Sequence, residues 1–186
     1  MYTLPSMERY HLIEGIGVHY VTFTVVEWLP VFIDESPCKI ITDSLNFCID
    51  RKNLCVTAYV IMPNHVHAVL FDKNFDNEHL KQTLDDMRKF TGHQLLDYCE
   101  KKLSSAMVDI FYDHSGKDRL RRFWQTTRHP IGLVTEKVFE QKVNYIHWNP
   151  CRKGLVRQPE DWRFSSASFW MKGVVKNDVE LAGVWW

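Results

Sequence analysis

Long hydrophobic runs are missing from this sequence. No stretch approaches the roughly 20 apolar residues that a bilayer-spanning helix requires, so no membrane partner is expected. Cysteine is scarce and odd in number: Cys38, Cys48, Cys55, Cys99 and Cys151 include no C-x-x-C pair. That pattern argues against a disulfide scaffold or a zinc ribbon and for a reducing compartment. The first residues, MYTLPSMERYHLIEG, lack a basic region followed by an apolar stretch, so no secretory signal is expected and a cytoplasmic location is. Neither sign of charge is in excess, because 23 basic and 23 acidic residues cancel. No repeat, low-complexity block or Pro/Gly/Ser-rich linker divides the 186 residues, which suit a single domain over 1–186.

What is present is unevenly placed. Residues 1–50 hold seven acids and two bases, whereas 51–186 hold 21 bases and 16 acids. KDRLRRFWQTTR (117–128) has five bases and one acid around Phe123 and Trp124. CRKGLVRQPEDWR (151–163) has four bases and two acids, with Trp162. Bases mixed with aromatics suit phosphate contact and base stacking, and an ordinary solvated face is the alternative.

The order of elements predicts the fold class. GVHYVTFTVVEW (17–28) reads as a first strand and 38–52, with Ile41, Leu45 and Ile49 at helical spacing, as a helix. Strands over 54–62 and 65–71 follow, joined by a turn at Met62-Pro63-Asn64. Asn77 is the expected N-cap of a long helix to about residue 102. Residues 104–118 read as a polar loop, 121–134 as extended segments, and Thr135 as the cap of a last helix. Strand–helix–strand–strand–helix–strand predicts an α+β ferredoxin-like sandwich, an antiparallel sheet with helices packed mainly on one face.

Within YVIMPNHVHAVL (59–70), strand alternation points His65 and His67 to the same face and Val66, Ala68 and Leu70 to the other. Two imidazoles held rigidly on one face are half of a metal site, or else two satisfied strand histidines. On the last helix, Phe139, Val143 and Ile146 form an apolar stripe. Tyr145 and Asn149 lie above one another, roughly 100° around from that stripe, at the border of the buried face. A phenol and a carboxamide there could overhang the imidazole pair. The alternatives are that Tyr145 packs as an amphipathic residue and that Asn149, before Pro150, caps a new turn. His147 points away and reads as structural.

These segments resemble a known family. YVIMPNHVHAVL resembles the histidine–hydrophobe–histidine (HUH) signature of single-tyrosine transposases, in its M-P-N-H-x-H form. NYIHWNPCRKGLV with PEDWRFSSAS resembles the Y-I-H-x-N-P-x-x-x-G-L-V and P-E-D-x-x-x-S-S block of REP-associated tyrosine transposases. HYVTFTVVEWLPVF is similar to their first strand and RFWQTTRHPIGL to their F-W-Q-x-x-x-H-x-I segment, so the likeness runs in order from about residue 17 to 170. Cys151 departs from the usual aliphatic residue, and the tail 171–186, ending VWW, has no counterpart.

The resemblance implies an HUH-type fold and a metal-dependent single-stranded DNA endonuclease and strand transferase. In it His65, His67 and Asn149 bind Mg²⁺ or Mn²⁺, and Tyr145 attacks a phosphodiester, becomes linked to the 5′ end and releases a 3′-hydroxyl. The implied partner is hairpin-forming single-stranded DNA, bound by a monomer or a homodimer. Lys117, Arg119, Arg121, Arg122, Arg152 and Lys153 are then the candidate DNA contacts, and His129 matches a family histidine beside the site. Trp124 and Trp162 are stacking candidates, with core packing as the alternative. A hairpin-binding protein without cleavage, and a metallohydrolase using a carboxylate, are the competing readings.

Overall fold

The computed structural model describes Leu12 and residues 14–113, 120–126, 130–174 and 177–184. Four strands form one antiparallel sheet in the order β2-β3-β1-β4, with β1 at His19–Thr24, β2 at Leu54–Met62, β3 at His65–Asp72 and β4 at Ile131–Gly132. The helices are α1 (Glu35–Arg51), α2 (Asn77–Lys102), α3 (Ser105–Asp113), α4 (Glu136–Arg152) and α5 (Ala167–Lys172). The order is the expected ferredoxin-like α+β arrangement, with α4 added after the last strand.

Side-chain alternation splits the core into two layers. Val21, Phe23, Tyr59, Ile61, Val66, Ala68 and Leu70 pack with Cys38, Ile41 and Leu45 of α1 and Leu80, Leu84 and Leu95 of α2. On the opposite face Tyr20, Val60, Met62, Val69 and Phe71 pack with Phe139, Val143 and Ile146 of α4. A register shift between Val56 and Ala58 resets the alternation along β2, so Val56 joins the same layer as Tyr59 and Ile61. With both faces covered, every described residue of β3 is buried. Two of the long helices share one face, and α4 stands on the other, over the histidine-bearing strand.

The C-terminal residues close the sheet's outer edge. Ile61 N–H donates to Phe164 O (2.9 Å), Ser166 N–H to Tyr59 O (3.0 Å) and Ala182 N–H to Val56 O (2.8 Å). Val179 is buried in the first layer. A bare edge strand invites pairing with another chain, and these bonds remove that exposure.

Several local readings shift. Helix α1 starts at Glu35 because the Asp34 side chain accepts from Ser36 N (2.8 Å), and α2 is capped by Asp76, not Asn77, through His79 N (3.0 Å). The first strand ends at Thr24, where Val26–Trp28 turn away. Of the expected loop 104–118, Ser105–Asp113 is helical: Phe111 is fully buried and stacks on Phe123 with ring centroids 5.5 Å apart. The helix is itself largely apolar, with Met107, Val108, Ile110 and Phe111, and the polar residues of the expected loop follow it in the sequence. Of the segments over 121–134, Ile131–Gly132 pairs with β1 and Trp124 bridges Val25.

His147 is structural, as its direction implied. It is buried, its Nε2 lies 2.8 Å from Ser166 Oγ, and burial holds its pKa down to about 4. The unfolded chain protonates such a group near 6.5 while the fold keeps it neutral, so its contribution to stability is intact above that pH and is lost as pH falls towards 4. From pH 7 to pH 5 the loss should be about 2 kcal/mol for this residue. Urea melts at the two pH values check it, with His147→Gln expected to remove that share of the pH dependence.

Candidate functional site

The two imidazoles share the α4 face, as strand alternation requires. In the register, His65 lies between Met62 and Thr24, and His67 between Val60 and Thr22. Both are buried, and their ring centroids are 4.5 Å apart. Each ring is held through Nδ1. His67 Nδ1 lies 2.7 Å from Tyr20 Oη and 2.8 Å from Thr22 Oγ1, and His65 Nδ1 lies 2.7 Å from Asn64 Oδ1. Among the described residues no hydrogen bond engages either Nε2. Anchoring one ring nitrogen to fix the other towards a ligand is how metal-binding histidines are oriented.

Electrostatics favours neutral rings. Burial lowers the His65 pKa to about 4, with help from Lys153, and lowers that of His67 to about 3, with help from His65 and Lys142. At neutral pH both imidazoles are therefore free of the second proton that would block a cation. Tyr20, which anchors His67, has its own pKa raised by burial, so it serves as a neutral hydroxyl.

Helix α4 brings the phenol over this pair. Its apolar stripe seats it on β2 and β3, and the Thr135 side chain caps it by accepting from Val138 N (3.3 Å). Tyr145 is 41 % exposed, with its ring edge-on to His67 (5.6 Å between centroids) and to Tyr20 (6.3 Å). Asn149 is 4 % exposed, one turn further along, and no hydrogen bond among the described residues engages its carboxamide. The helix continues through Pro150 to Arg152, so Asn149 is an internal helical residue and not the cap of a new turn.

Cations surround the phenol. Lys142 Nζ lies 5.0 Å from the Tyr20 ring centre and 5.8 Å from that of Tyr145. The Arg152 guanidinium lies 5.1 Å from the Tyr145 ring centre, and its Nη1 donates to Tyr145 O (3.4 Å). Lys142, Tyr145, Asn149 and Arg152 follow at 3-4-3 spacing, which puts all four on one side of α4. No ion pair among the described residues engages Lys142. Sequence reading missed this lysine, along with Tyr20, Thr22 and Asn64. The 3-4-3 spacing was a usable signal for Lys142; the others depend on strand register.

The remaining candidates separate. Arg121 is paired with Asp97 (2.8 Å) and Glu100, and so is engaged on the α2 side of the sheet rather than beside the phenol. Arg122 is partly buried on the same side and donates its backbone N–H to Phe111 O (2.8 Å). Lys117, Arg119 and His129 lie outside the described residues. Trp124 is core, donating Nε1–H to Thr91 Oγ1 (3.2 Å), and Trp162 is half-buried, donating to Ile61 O (2.9 Å). Among the described residues no group of three His, Cys, Asp or Glu side chains is placed to hold a metal, so no described carboxylate joins the imidazole pair.

The fold that carries this imidazole pair has a counterpart among solved structures. The chain is similar to a REP-associated tyrosine transposase bound to a REP hairpin, with a TM-score of 0.63 and 17 % identity over 95 % of this chain and 90 % of that one. At that identity the likeness shows the fold, and the fold is the one the sequence motifs implied. A protein from Deinococcus radiodurans R1, provisionally named a transposase, gives a TM-score of 0.48 at 14 % identity over 74 % of this chain and 94 % of that one, a likeness too low to build on. No family model and no curated protein matches the chain.

Proposed function

We propose that this protein is a metal-dependent single-stranded DNA endonuclease and strand transferase acting on hairpin DNA, with Tyr145 as the nucleophile. The observation that carries the reading is the Tyr145 ring standing 5.6 Å from that of His67, on a helix seated over the imidazole pair. The solved neighbour bound to a REP hairpin supports the substrate class.

In the reaction the Tyr145 oxygen forms a bond to phosphorus, the P–O3′ bond breaks, and the phenol's proton is balanced by the one gained by the released 3′-oxygen. The phosphotyrosyl ester conserves the phosphodiester, so a 3′-hydroxyl can later attack it and rejoin strands. His65 Nε2, His67 Nε2 and the Asn149 carboxamide would hold Mg²⁺ or Mn²⁺, with Mn²⁺ the tighter on a two-imidazole set. When bound, the ion supplies Lewis-acid neutralisation of the phosphate's non-bridging oxygens. The donor set fits: two neutral rings fixed through Nδ1, and a buried carboxamide with no other hydrogen bond among the described residues.

Lys142, Arg152 and Lys153 are the first candidates for contacting the phosphate, and Lys117 and Arg119 stay candidates for the hairpin stem, whereas Arg121 and Arg122 are engaged on the α2 side of the sheet. Lys142→Met should slow adduct formation about 10- to 100-fold and make the salt dependence of binding shallower by about one unit of slope. Time courses at several salt concentrations check both.

The reading as a whole is tested by incubating the protein with labelled hairpin oligonucleotides and Mn²⁺, then resolving products under denaturing conditions. A covalent protein–DNA band and a shortened strand ending in a 3′-hydroxyl are expected. Binding without either product would instead establish a hairpin-binding protein.

A further inference from the structure

The mouth of the site carries an aromatic side chain that the chemistry above does not use. Trp28 is 55 % exposed, and its ring stands edge-on to His65, with centroids 5.8 Å apart. Phe47 and Phe90 are comparably exposed but belong to α1 and α2, in the layer across the sheet. The backbone that presents Trp28 is unusual. Glu27 and Trp28 both take positive φ, at 48° and 55°, where side chains other than glycine's are strained.

The surrounding structure holds that strained pair in place. Val26 N–H donates to Phe123 O (2.9 Å), Trp28 N–H to Val25 O (3.1 Å) and Leu29 N–H to Val26 O (3.1 Å). Asn64 then joins turn and site: its Nδ2 donates to Trp28 O (3.3 Å) while its Oδ1 lies 2.7 Å from His65 Nδ1. One carboxamide thus sets both the height of the indole and the direction of the imidazole. Strain maintained next to a reactive centre points to a presented group, and a large exposed indole has a face suited to one chemical partner here, an unpaired nucleobase.

We infer that Trp28 is the stacking platform for a base of the single strand that runs through the site, adjoining the phosphate to be cut. The assignment rests on the single-stranded DNA reading above and adds to it a residue that selects for unpaired bases.

The test uses a stem-loop oligonucleotide with thymidine tails on both sides of the stem, and the same stem-loop with abasic tails of equal charge. The intact protein should prefer the thymidine tails by about five- to a hundredfold in affinity. Trp28→Ala should erase most of that preference without weakening abasic-tail binding, and Trp28→Tyr should restore part of it. Trp28→Gly should also lose the preference yet melt no lower than the parent, because glycine takes a φ of 55° without strain. An alanine variant that keeps the full preference, or loses affinity equally for both tails, overturns the inference. If the intact protein binds neither oligonucleotide, the single-stranded DNA reading falls and takes this one with it. Binding without covalent adduct removes only the cleavage reading, and the tail comparison still decides the role of Trp28.

Discussion

Tyr145→Phe should abolish the covalent protein–DNA adduct, a loss of at least about a thousandfold, while hairpin affinity stays within about twofold. The substitution removes one oxygen and leaves the ring contacts with His67 and Tyr20 in place. No hydrogen bond to that oxygen is lost within the described residues, so the melting temperature should hold. The readout is a labelled hairpin oligonucleotide in denaturing electrophoresis, beside a binding isotherm for the same variant. An adduct of undiminished yield would take Tyr145 out of the nucleophile's role, and Tyr20 would be examined next. Tyr20 is a poor nucleophile in advance: it is buried, bonded to His67 Nδ1 at 2.7 Å, and its pKa is raised.

The second large effect concerns the cation. His67→Ala should weaken Mn²⁺ binding by at least about a hundredfold, measured by calorimetry in the absence of DNA. Tyr20→Phe should cost about 10- to 100-fold in the same measurement, because the ring that Tyr20 orients stays but turns more freely. The graded order separates a ligand from the group that positions it. Equal Mn²⁺ affinity in the parent and the His67 variant would remove the imidazole pair from metal binding.

Much of the site was legible because two short periods carry it. The two-residue period of a strand puts His65 and His67 on one face, and the 3.6-residue period of a helix puts Tyr145 above Asn149. Neither requires knowledge of what lies across the sheet. Tyr20, Thr22, Asn64 and Trp28 are different in kind. Each depends on the antiparallel register that sets Thr22 opposite His67, or on a turn whose φ values no local propensity favours. Such relations are fixed by tertiary pairing, and the basic run shows the same limit. Arg121 reads as an available cation in sequence, yet acidic residues twenty-odd positions upstream, Asp97 and Glu100, fold back to meet it. Helix α3 was missed because its apolar residues, Met107, Val108, Ile110 and Phe111, form a short stretch run together in the sequence with the polar DHSGKD (113–118), and the partner of its buried anchor Phe111, the Phe123 ring, is met only in the fold.

Helix α4 is a single rod bearing both the phenol and the carboxamide, and it packs on the face of the sheet opposite α1 and α2. Any shift in how Ile146 or Val143 nests against β2 and β3 tilts the whole rod. Attacking group and cation-facing amide then move in lockstep, so evolution or engineering at that contact would retune the pair jointly and never one at a time.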